Sequence, residues 1–315
     1  MKIAIMGKIH PDGLKIFNEN KIESFEIDNF DENYLINILA DVDGIVIRTA
    51  KLNSKVLSKC KKLKAVSRHG VGYDNVDFEY LSKNNIDLMI TATSNAVSVA
   101  EHVMTMFLNL TKNINASDNL VKSGKFKKKY ELPDFFELYN KTLLILGFGR
   151  IGKELAKRCL GFDMKVCVYD PFVNDSEIKK KNCLPVSKEE GFKNADYLSI
   201  HLPLNTTTMN LINYEQFKIF KKNLILVNTS RGGIINETAL VDALKSKKIF
   251  GVGLDVFEEE PPTENHPLFK YKNTLLTPHN AALTLECRKR MSIESCENIY
   301  NYLFDKKNLN KNNII

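Results

Sequence analysis

Thr142-Leu143-Leu144-Ile145-Leu146-Gly147-Phe148-Gly149-Arg150-Ile151-Gly152 is the stretch on which the reading of this chain turns. An apolar, β-rich run enters a Gly-x-Gly-x-x-Gly turn directly, and a helical pattern over 153–160 follows. Glycine-rich turns are common, but one that leaves a strand and opens a helix is the fingerprint of a dinucleotide-binding βα unit. Gly147 permits the tight turn, Gly149 lets the backbone approach a pyrophosphate, and Gly152 allows close helix–strand packing. The freed N–H groups and the helix dipole then favour an anion. About twenty residues on, the strand Lys165–Tyr169 ends in Asp170, where a carboxylate accepts hydrogen bonds from ribose hydroxyls and repels a 2′-phosphate. The cofactor expected is therefore NAD, not NADP.

Outward from this turn, further short apolar strands are expected at Tyr197–Ile200, Leu224–Val227, Val252–Val256 and Thr274–Leu276, with helix patterns such as Glu237–Lys245 between them. An earlier section repeats the alternation, with strands at Lys2–Met6, Gly44–Ile47, Leu63–Val66 and Ile86–Ile90 and a helix near Gly13–Asn20. Strands alternating with helices indicate parallel sheets covered on both faces. Ser98 and Glu101 have the spacing of a capping box. Val99, Val103, Met106, Phe107 and Leu110 continue it as a long helix. A last helix over Met291–Phe304 returns toward the first section, and the polar tail Lys306–Ile315 is expected to be loosely held. The resulting division is residues 1–97 plus 286–315 as one domain and 98–285 as the other.

Composition narrows the class. With 315 residues, 43% apolar and 26% charged, the chain has the make-up of an ordinary globular protein with room for two cores. Its net charge of +7 comes from scattered lysines. The densest run, Lys125-Phe126-Lys127-Lys128-Lys129, is too short for a nucleic-acid stripe, though a basic surface attracts anionic substrates. Six cysteines form no Cys-x-x-Cys pair, so neither a zinc site nor a disulfide framework is expected, and no metal. The opening apolar run is too short for a signal peptide, and Glu101, His102 and Asn109 interrupt the apolar stretch from Val97 to Leu110. The expected location is the reducing cytoplasm, with no membrane partner.

Three later segments carry chemistry, each at or just beyond a strand end. Arg231, in Asn228-Thr229-Ser230-Arg231-Gly232-Gly233, offers a rigid fork for a carboxylate. Asp255-Val256-Phe257-Glu258-Glu259-Glu260-Pro261-Pro262 supplies acids. His279, in Thr277-Pro278-His279-Asn280-Ala281, can exchange a proton near neutral pH when a carboxylate orients it.

These four motifs, in this order, resemble the signatures of the D-isomer-specific 2-hydroxyacid dehydrogenases, and the resemblance extends over nearly the whole chain. It implies an α/β protein of two doubly wound parallel sheets, with a Rossmann NAD-binding domain inserted into a flavodoxin-like substrate domain. It implies an oxidoreductase that interconverts a D-2-hydroxy acid and its 2-keto acid with NAD. Arg231 matches the substrate arginine, Glu260 the acid paired with the catalytic histidine, and His279 the general acid/base. Glu258 and Glu259 are read as solvated neighbours. Arg150 and Ile151 match residues flanking the pyrophosphate, and Asp255 a contact to the nicotinamide carboxamide. The loop His201-Leu202-Pro203 resembles the one beneath the adenosine, and Thr229 falls in the cofactor-facing motif. His201, His69 and His102 receive no catalytic role.

Arg68-His69-Gly70-Val71-Gly72-Tyr73-Asp74-Asn75 resembles the family loop that binds the substrate carboxylate, through the N–H groups of Val71 and Gly72. A 2-keto acid is then expected between the domains, with hinges near Ala96–Val99 and Ala281–Glu286. Ile47-Arg48-Thr49 together with this loop resembles 3-phosphoglycerate dehydrogenases of serine biosynthesis, in which Arg48, Arg68 and Lys127–Lys129 would neutralise a phosphate. The chain shows no C-terminal regulatory domain of the kind many of them carry. The alternatives are a hydroxypyruvate or glyoxylate reductase, a D-lactate-type enzyme, and a non-enzymatic NAD-sensing corepressor. Formate dehydrogenases are disfavoured by the acid at Glu260. A homodimer through the Val97–Leu110 helix is the family expectation.

Overall fold

The computed structural model describes residues 1–315, which form two compact units: Met1–Asn95 with Ala282–Ile315, and Ala96–Ala281. These crossings lie within four residues of those drawn from the sequence. The strands, in chain order, are β1 (Lys2–Met6), β2 (Glu23–Ile27), β3 (Gly44–Ile47), β4 (Ala65–Arg68), β5 (Asp87–Ile90), β6 (Thr142–Leu146), β7 (Lys165–Tyr169), β8 (Leu184–Pro185), β9 (Tyr197–Ile200), β10 (Leu224–Asn228), β11 (Ile249–Leu254) and β12 (Thr274–Leu276). No helix is long and apolar enough to cross a membrane.

The first unit has a five-stranded parallel sheet in the order β2-β1-β3-β4-β5. Its strands alternate between two buried faces: Ala4 and Met6 enter one apolar cluster, Ile3 and Ile5 the other. β2 was missed in the sequence because it is an edge strand with the polar pattern Glu-Ser-Phe-Glu-Ile, buried only at Ile27. β4 lies two residues later than expected, since pairing of Gly44 with Ala65 and Ile47 with Arg68 sets its register. That shift puts Arg68 at the strand's carboxyl end.

The C-terminal tail corrects the expectation of a loose end. Asn313 is buried and donates to Asn298 Oδ1 at 2.9 Å and Glu294 Oε1 at 3.0 Å. The Ile315 N–H donates to the Leu88 carbonyl at 2.9 Å, beside an antiparallel bridge between Met89 and Ile314. The tail thus covers the open edge of β5, an apolar edge that would otherwise offer itself for pairing. Its polar composition concealed this because the holding contacts are to residues far away in sequence.

The second unit has a seven-stranded parallel sheet in the order β12-β11-β10-β9-β6-β7-β8. Counting from β6, this is the doubly wound order 3-2-1-4-5-6 with one strand added, and its direction reverses between β6 and β9. Leu144 and Leu146 face one buried cluster, Leu143 and Ile145 the other, as a strand covered on both sides requires. The first helix of this unit spans Ala96–Lys112, so Ser98 is a buried interior residue and not the expected N-cap. Its Val99, Val103, Met106 and Phe107 are consumed by the core. The helix Ile114–Lys122 and the turn Phe126–Glu131 that follow bury no side chain.

Candidate active site

The reversal between β6 and β9 is where an open α/β sheet binds ligands, outside the strand carboxyl ends. Gly147 sits there with φ +94°, and a Cβ on it would stand 2.5 Å from the His201 carbonyl oxygen. Only glycine fits. At Gly149, by contrast, a Cβ would meet nothing within 4 Å, so the backbone faces open space at the start of the helix Arg150–Leu160. That helix has no side-chain cap, which leaves its first N–H groups, at Arg150, Ile151 and Gly152, for a ligand.

Asp170 ends β7 as expected, and its carboxylate already organises the turn. One oxygen accepts from the Phe148 N–H at 2.7 Å and the other from the Phe172 N–H at 2.9 Å. A cavity of about 430 Å³ lies beside it, lined by Tyr169, Asp170, Pro171 and Val186 among others. Leu202 touches the Gly147 position, and the Pro203 carbonyl accepts from Thr208 Oγ1 at 2.6 Å, which stiffens that loop. Thr229 is buried with no partner for its hydroxyl. An unpaired buried hydroxyl, an uncapped helix start and an open glycine cradle all suit a dinucleotide.

Arg231, Glu260 and His279, the residues expected to carry the chemistry, follow three separate strand ends. β10 ends in Asn228, which is buried and shapes the next loop: its Oδ1 accepts from the Ser230 N–H at 3.0 Å, and its Nδ2 donates to the Arg231 carbonyl at 2.8 Å. Gly232 then packs so closely on the segment after β11 that a Cβ would be 1.7 Å from the Phe257 carbonyl oxygen. Arg231 and the acidic segment are thereby fixed against each other.

Glu260 Oε2 lies 2.8 Å from His279 Nδ1, and its Oε1 accepts from the Phe257 N–H at 3.1 Å. Partial burial pushes the Glu260 carboxyl upward, but the His279 contact, the Phe257 N–H and the nearby Arg231 charge outweigh it and hold the group below its ordinary value. An ionised carboxylate only accepts, so the shared proton resides on Nδ1, and Nε2 is the ring nitrogen not engaged by Glu260. His279 has φ +50°, in the left-handed region, and needs external support.

Asp255 gives that support. It is fully buried and accepts from Thr277 Oγ1 at 2.6 Å, the Asn280 N–H at 2.8 Å and the Ala281 N–H at 2.9 Å. His102 Nε2 joins the same group, 3.0 Å from Thr277 Oγ1. Read from the sequence as packing, His102 is instead a polar member of the histidine loop's anchor. Asn228, Thr277 and His102 were all missed. Their signal was present for Asn228 and Thr277, as polar residues at strand ends inside quoted motifs, but their partners were invisible.

Glu258 is exposed, in keeping with its reading from the sequence, but it also has partners that reading did not include. Read as a solvated neighbour, it exchanges hydrogen bonds with Glu237: the Glu237 N–H donates to Glu258 Oε1 at 2.8 Å, and the Glu258 N–H to Glu237 Oε1 at 2.9 Å.

The other four sequence-derived residues belong to the first unit. Arg68 directs its guanidinium at its own loop, donating through Nε to Asn75 Oδ1 at 3.2 Å and through Nη1 to the His69 carbonyl. Asn75 in turn donates to the Ala50 carbonyl at 2.6 Å. Gly70 takes φ +147° within this loop, and the N–H groups of Val71 and Gly72 take no part in its internal hydrogen bonds. Arg48 is half-buried, its Nη1 3.4 Å from the Lys8 carbonyl. His69 is buried, and desolvation pushes its imidazole down to about 4. His201 is half-buried and bonded to Ser199 Oγ at 2.9 Å, and desolvation of its ring pushes it down to about 3. Both are neutral at physiological pH.

Residues 104–281 match the family described as D-isomer specific 2-hydroxyacid dehydrogenase, NAD binding domain. Over 291 residues the chain is 36% identical to a hydroxypyruvate reductase of Thermotoga maritima, covering 91% of this chain and 93% of that protein. It is 33% identical over 302 residues to a D-3-phosphoglycerate dehydrogenase of Archaeoglobus fulgidus, covering 96% of this chain but 57% of the relative. The chain thus spans little more than half that relative's length. A solved D-lactate dehydrogenase from Aquifex aeolicus, complexed with NAD and lactic acid, matches with a TM-score of 0.86 at 28% identity, covering 99% of this chain and 98% of that one.

Proposed function

Because the chain belongs to the D-isomer-specific 2-hydroxyacid dehydrogenase family, we propose that it interconverts a D-2-hydroxy acid and its 2-keto acid with NAD. The observation that carries this is the His279–Glu260 pair at 2.8 Å, on loops braced to Arg231 and to the dinucleotide-binding sheet. When bound, NAD supplies the hydride acceptor or donor. Gly147, Gly149, Arg150, Ile151, Gly152, Asp170, Leu202, Pro203, Thr229 and Asp255 are the residues proposed to hold it. Asp255 also fixes the loop of His279.

In the reductive direction Arg231 grips the substrate carboxylate and polarises the adjacent carbonyl. His279 enters as the imidazolium, gives its Nε2 proton to the nascent alkoxide and is left neutral with the remaining proton on Nδ1, where Glu260 holds the ring and balances its charge before the transfer. Val71 and Gly72 are proposed as N–H donors to the carboxylate. Oxidation runs through the same groups in reverse.

For the substrate we propose 3-phosphoglycerate and its keto acid, as in the relatives named D-3-phosphoglycerate dehydrogenase, with Arg48 meeting the phosphate; the corresponding role would be in serine biosynthesis. A hydroxypyruvate or glyoxylate reductase is favoured by one observation: Arg68 is turned to its own loop instead of outward. The six cysteines are buried and form no disulfide, which suits a reducing cytoplasm. A homodimer is proposed through the segment after the Ala96–Lys112 helix, where Ile114, Val121, Phe126, Tyr130 and Tyr139 are exposed apolar or aromatic side chains.

The test is NADH oxidation by purified protein with 3-phosphohydroxypyruvate, hydroxypyruvate, glyoxylate and pyruvate, alongside Arg231→Ala. Preference for the phosphorylated acid supports the first reading, and preference for hydroxypyruvate or glyoxylate supports the second. NADH binding without turnover on any of them refutes these assignments and favours a sensor.

A further inference from the structure

We infer that Glu237, Glu258 and His266 form a clasp that positions Glu260, and through Glu260 the imidazole of His279. None of the three matches a catalytic position, and the role of His279 that the clasp serves rests on the dehydrogenase reading.

Glu237 is the first residue of the helix Glu237–Lys245, six residues after Arg231. Its N–H is one of the donors that a helix start leaves unpaired. Here that donor goes to the Glu258 carboxylate at 2.8 Å, while the Glu258 N–H returns a bond to Glu237 Oε1 at 2.9 Å. The second Glu237 oxygen is 2.9 Å from His266 Nε2. His266 Nδ1 accepts from the Leu268 N–H at 3.4 Å, so Nε2 carries the proton and donates to Glu237. The Glu237 and His266 side chains are each 13% exposed, so the bond between them is sheltered from water, while Glu258 reaches it from the exposed side.

The His266 ring stands edge-on to Phe257, with centroids 5.8 Å apart. Phe257 is the residue whose N–H binds Glu260 Oε1 and whose carbonyl abuts Gly232. Both residues at the base of the Glu260 turn are therefore held: Phe257 by packing against His266, and Glu258 by reciprocal bonds to Glu237. The far end of the clasp lies on the stretch that begins with Arg231. One device thus fixes the acid loop to the substrate-arginine loop.

A simpler account is that Glu258 merely caps a helix, which stabilises the fold and leaves the histidine untouched. The two accounts differ in what happens to the His279 ring. A free neutral imidazole prefers the proton on Nε2, whereas a correctly placed Glu260 holds it on Nδ1.

The experiment is long-range 1H–15N correlation of histidine-labelled protein at alkaline pH, with His279 assigned by its loss in His279→Ala. Wild type, Glu258→Ala, Glu258→Gln and Glu237→Gln are compared, with thermal melting as the measure of folding. Glu258→Ala is expected to shift the His279 ring nitrogens toward the Nε2–H tautomer, and Glu258→Gln, which keeps an acceptor oxygen, to restore them. With NADH and the best 2-keto acid, kcat of Glu258→Ala should fall about 10–100-fold at an unchanged KM for NADH, because misplacing a reacting group by about 1 Å costs on that order. Unchanged His279 nitrogens in folded Glu258→Ala and Glu237→Gln overturn the clasp. The tautomer shift in a protein without turnover upholds the clasp and refutes the dehydrogenase assignment instead.

Discussion

Gly232→Ala tests whether the arginine loop and the acid loop act as one unit. The added Cβ would stand 1.7 Å from the Phe257 oxygen, 2.1 Å from its carbonyl carbon and 2.7 Å from the Glu258 nitrogen. Real Cβ contacts essentially never fall below 3.0 Å, so the two segments must separate by at least 1.3 Å. All three obstructing atoms are backbone, and Phe257 is buried, so no flexible side chain can absorb the change. Overpacking of this kind costs about 1–3 kcal/mol. At roughly 2–4 °C per kcal/mol for a unit of this size, the melting temperature should fall by about 2–12 °C, leaving a folded protein at 25 °C. The catalytic cost should be larger in proportion, because the displacement lies directly between Arg231 and Glu260. A shift of about 1 Å lowers the rate on the order of 100-fold. Steady-state kcat/KM for the preferred keto acid, measured beside a thermal melt, gives both numbers. Retention of kcat/KM within threefold in a protein with an unaltered melt would refute the reasoning.

Three further outcomes are expected. Glu260→Gln keeps the shape but replaces an obligate acceptor with an amide that can also donate, so kcat should drop about 10²–10⁴-fold while NADH still binds; intrinsic fluorescence of bound NADH checks the second half. Asp170→Ala removes the acid from the end of β7 and leaves the Phe148 and Phe172 N–H groups without their partner. It should weaken NADH binding and narrow the preference over NADPH, and titration of both cofactors reads this directly; an unchanged ratio of affinities would speak against the ribose role. Acid should destabilise both units. His69 and His201 are neutral in the fold, pushed down to about 4 and about 3, while in the unfolded chain they take up protons near 6.5. The unfolded state therefore binds more protons below pH 6.5. The stability their burial contributes is complete above that pH and is lost as pH falls toward 4 and 3. At pH 5 each should cost about 2 kcal/mol. Urea unfolding between pH 5 and 7 should show this slope, and His201→Gln should flatten its share.

The fold and the cofactor turn were written in local patterns. β6, β7 and β9 fall at the residues read from the sequence because a strand covered on both faces is mostly apolar and short. The turn at Gly147 was legible because no other residue type tolerates its backbone and its approach to His201. The pairing of Glu260 with His279, expected from motif order and residue type, is present at 2.8 Å. What could not be read were contacts between residues that are unremarkable where they stand. Glu258 looks like one acid among three until a neighbouring helix start offers it an N–H. Asp255 stands in a recognisable motif, but that its carboxylate also closes the histidine loop shows only in the fold. Asn313 lies in a polar tail until Asn298 and Glu294, on a distant helix, take up its amide. Periodicity and turn chemistry act over a few residues and survive in the linear chain. The partner of a buried polar group is chosen by whichever strand ends the sheet order brings together, and that exists only once the sheets are assembled.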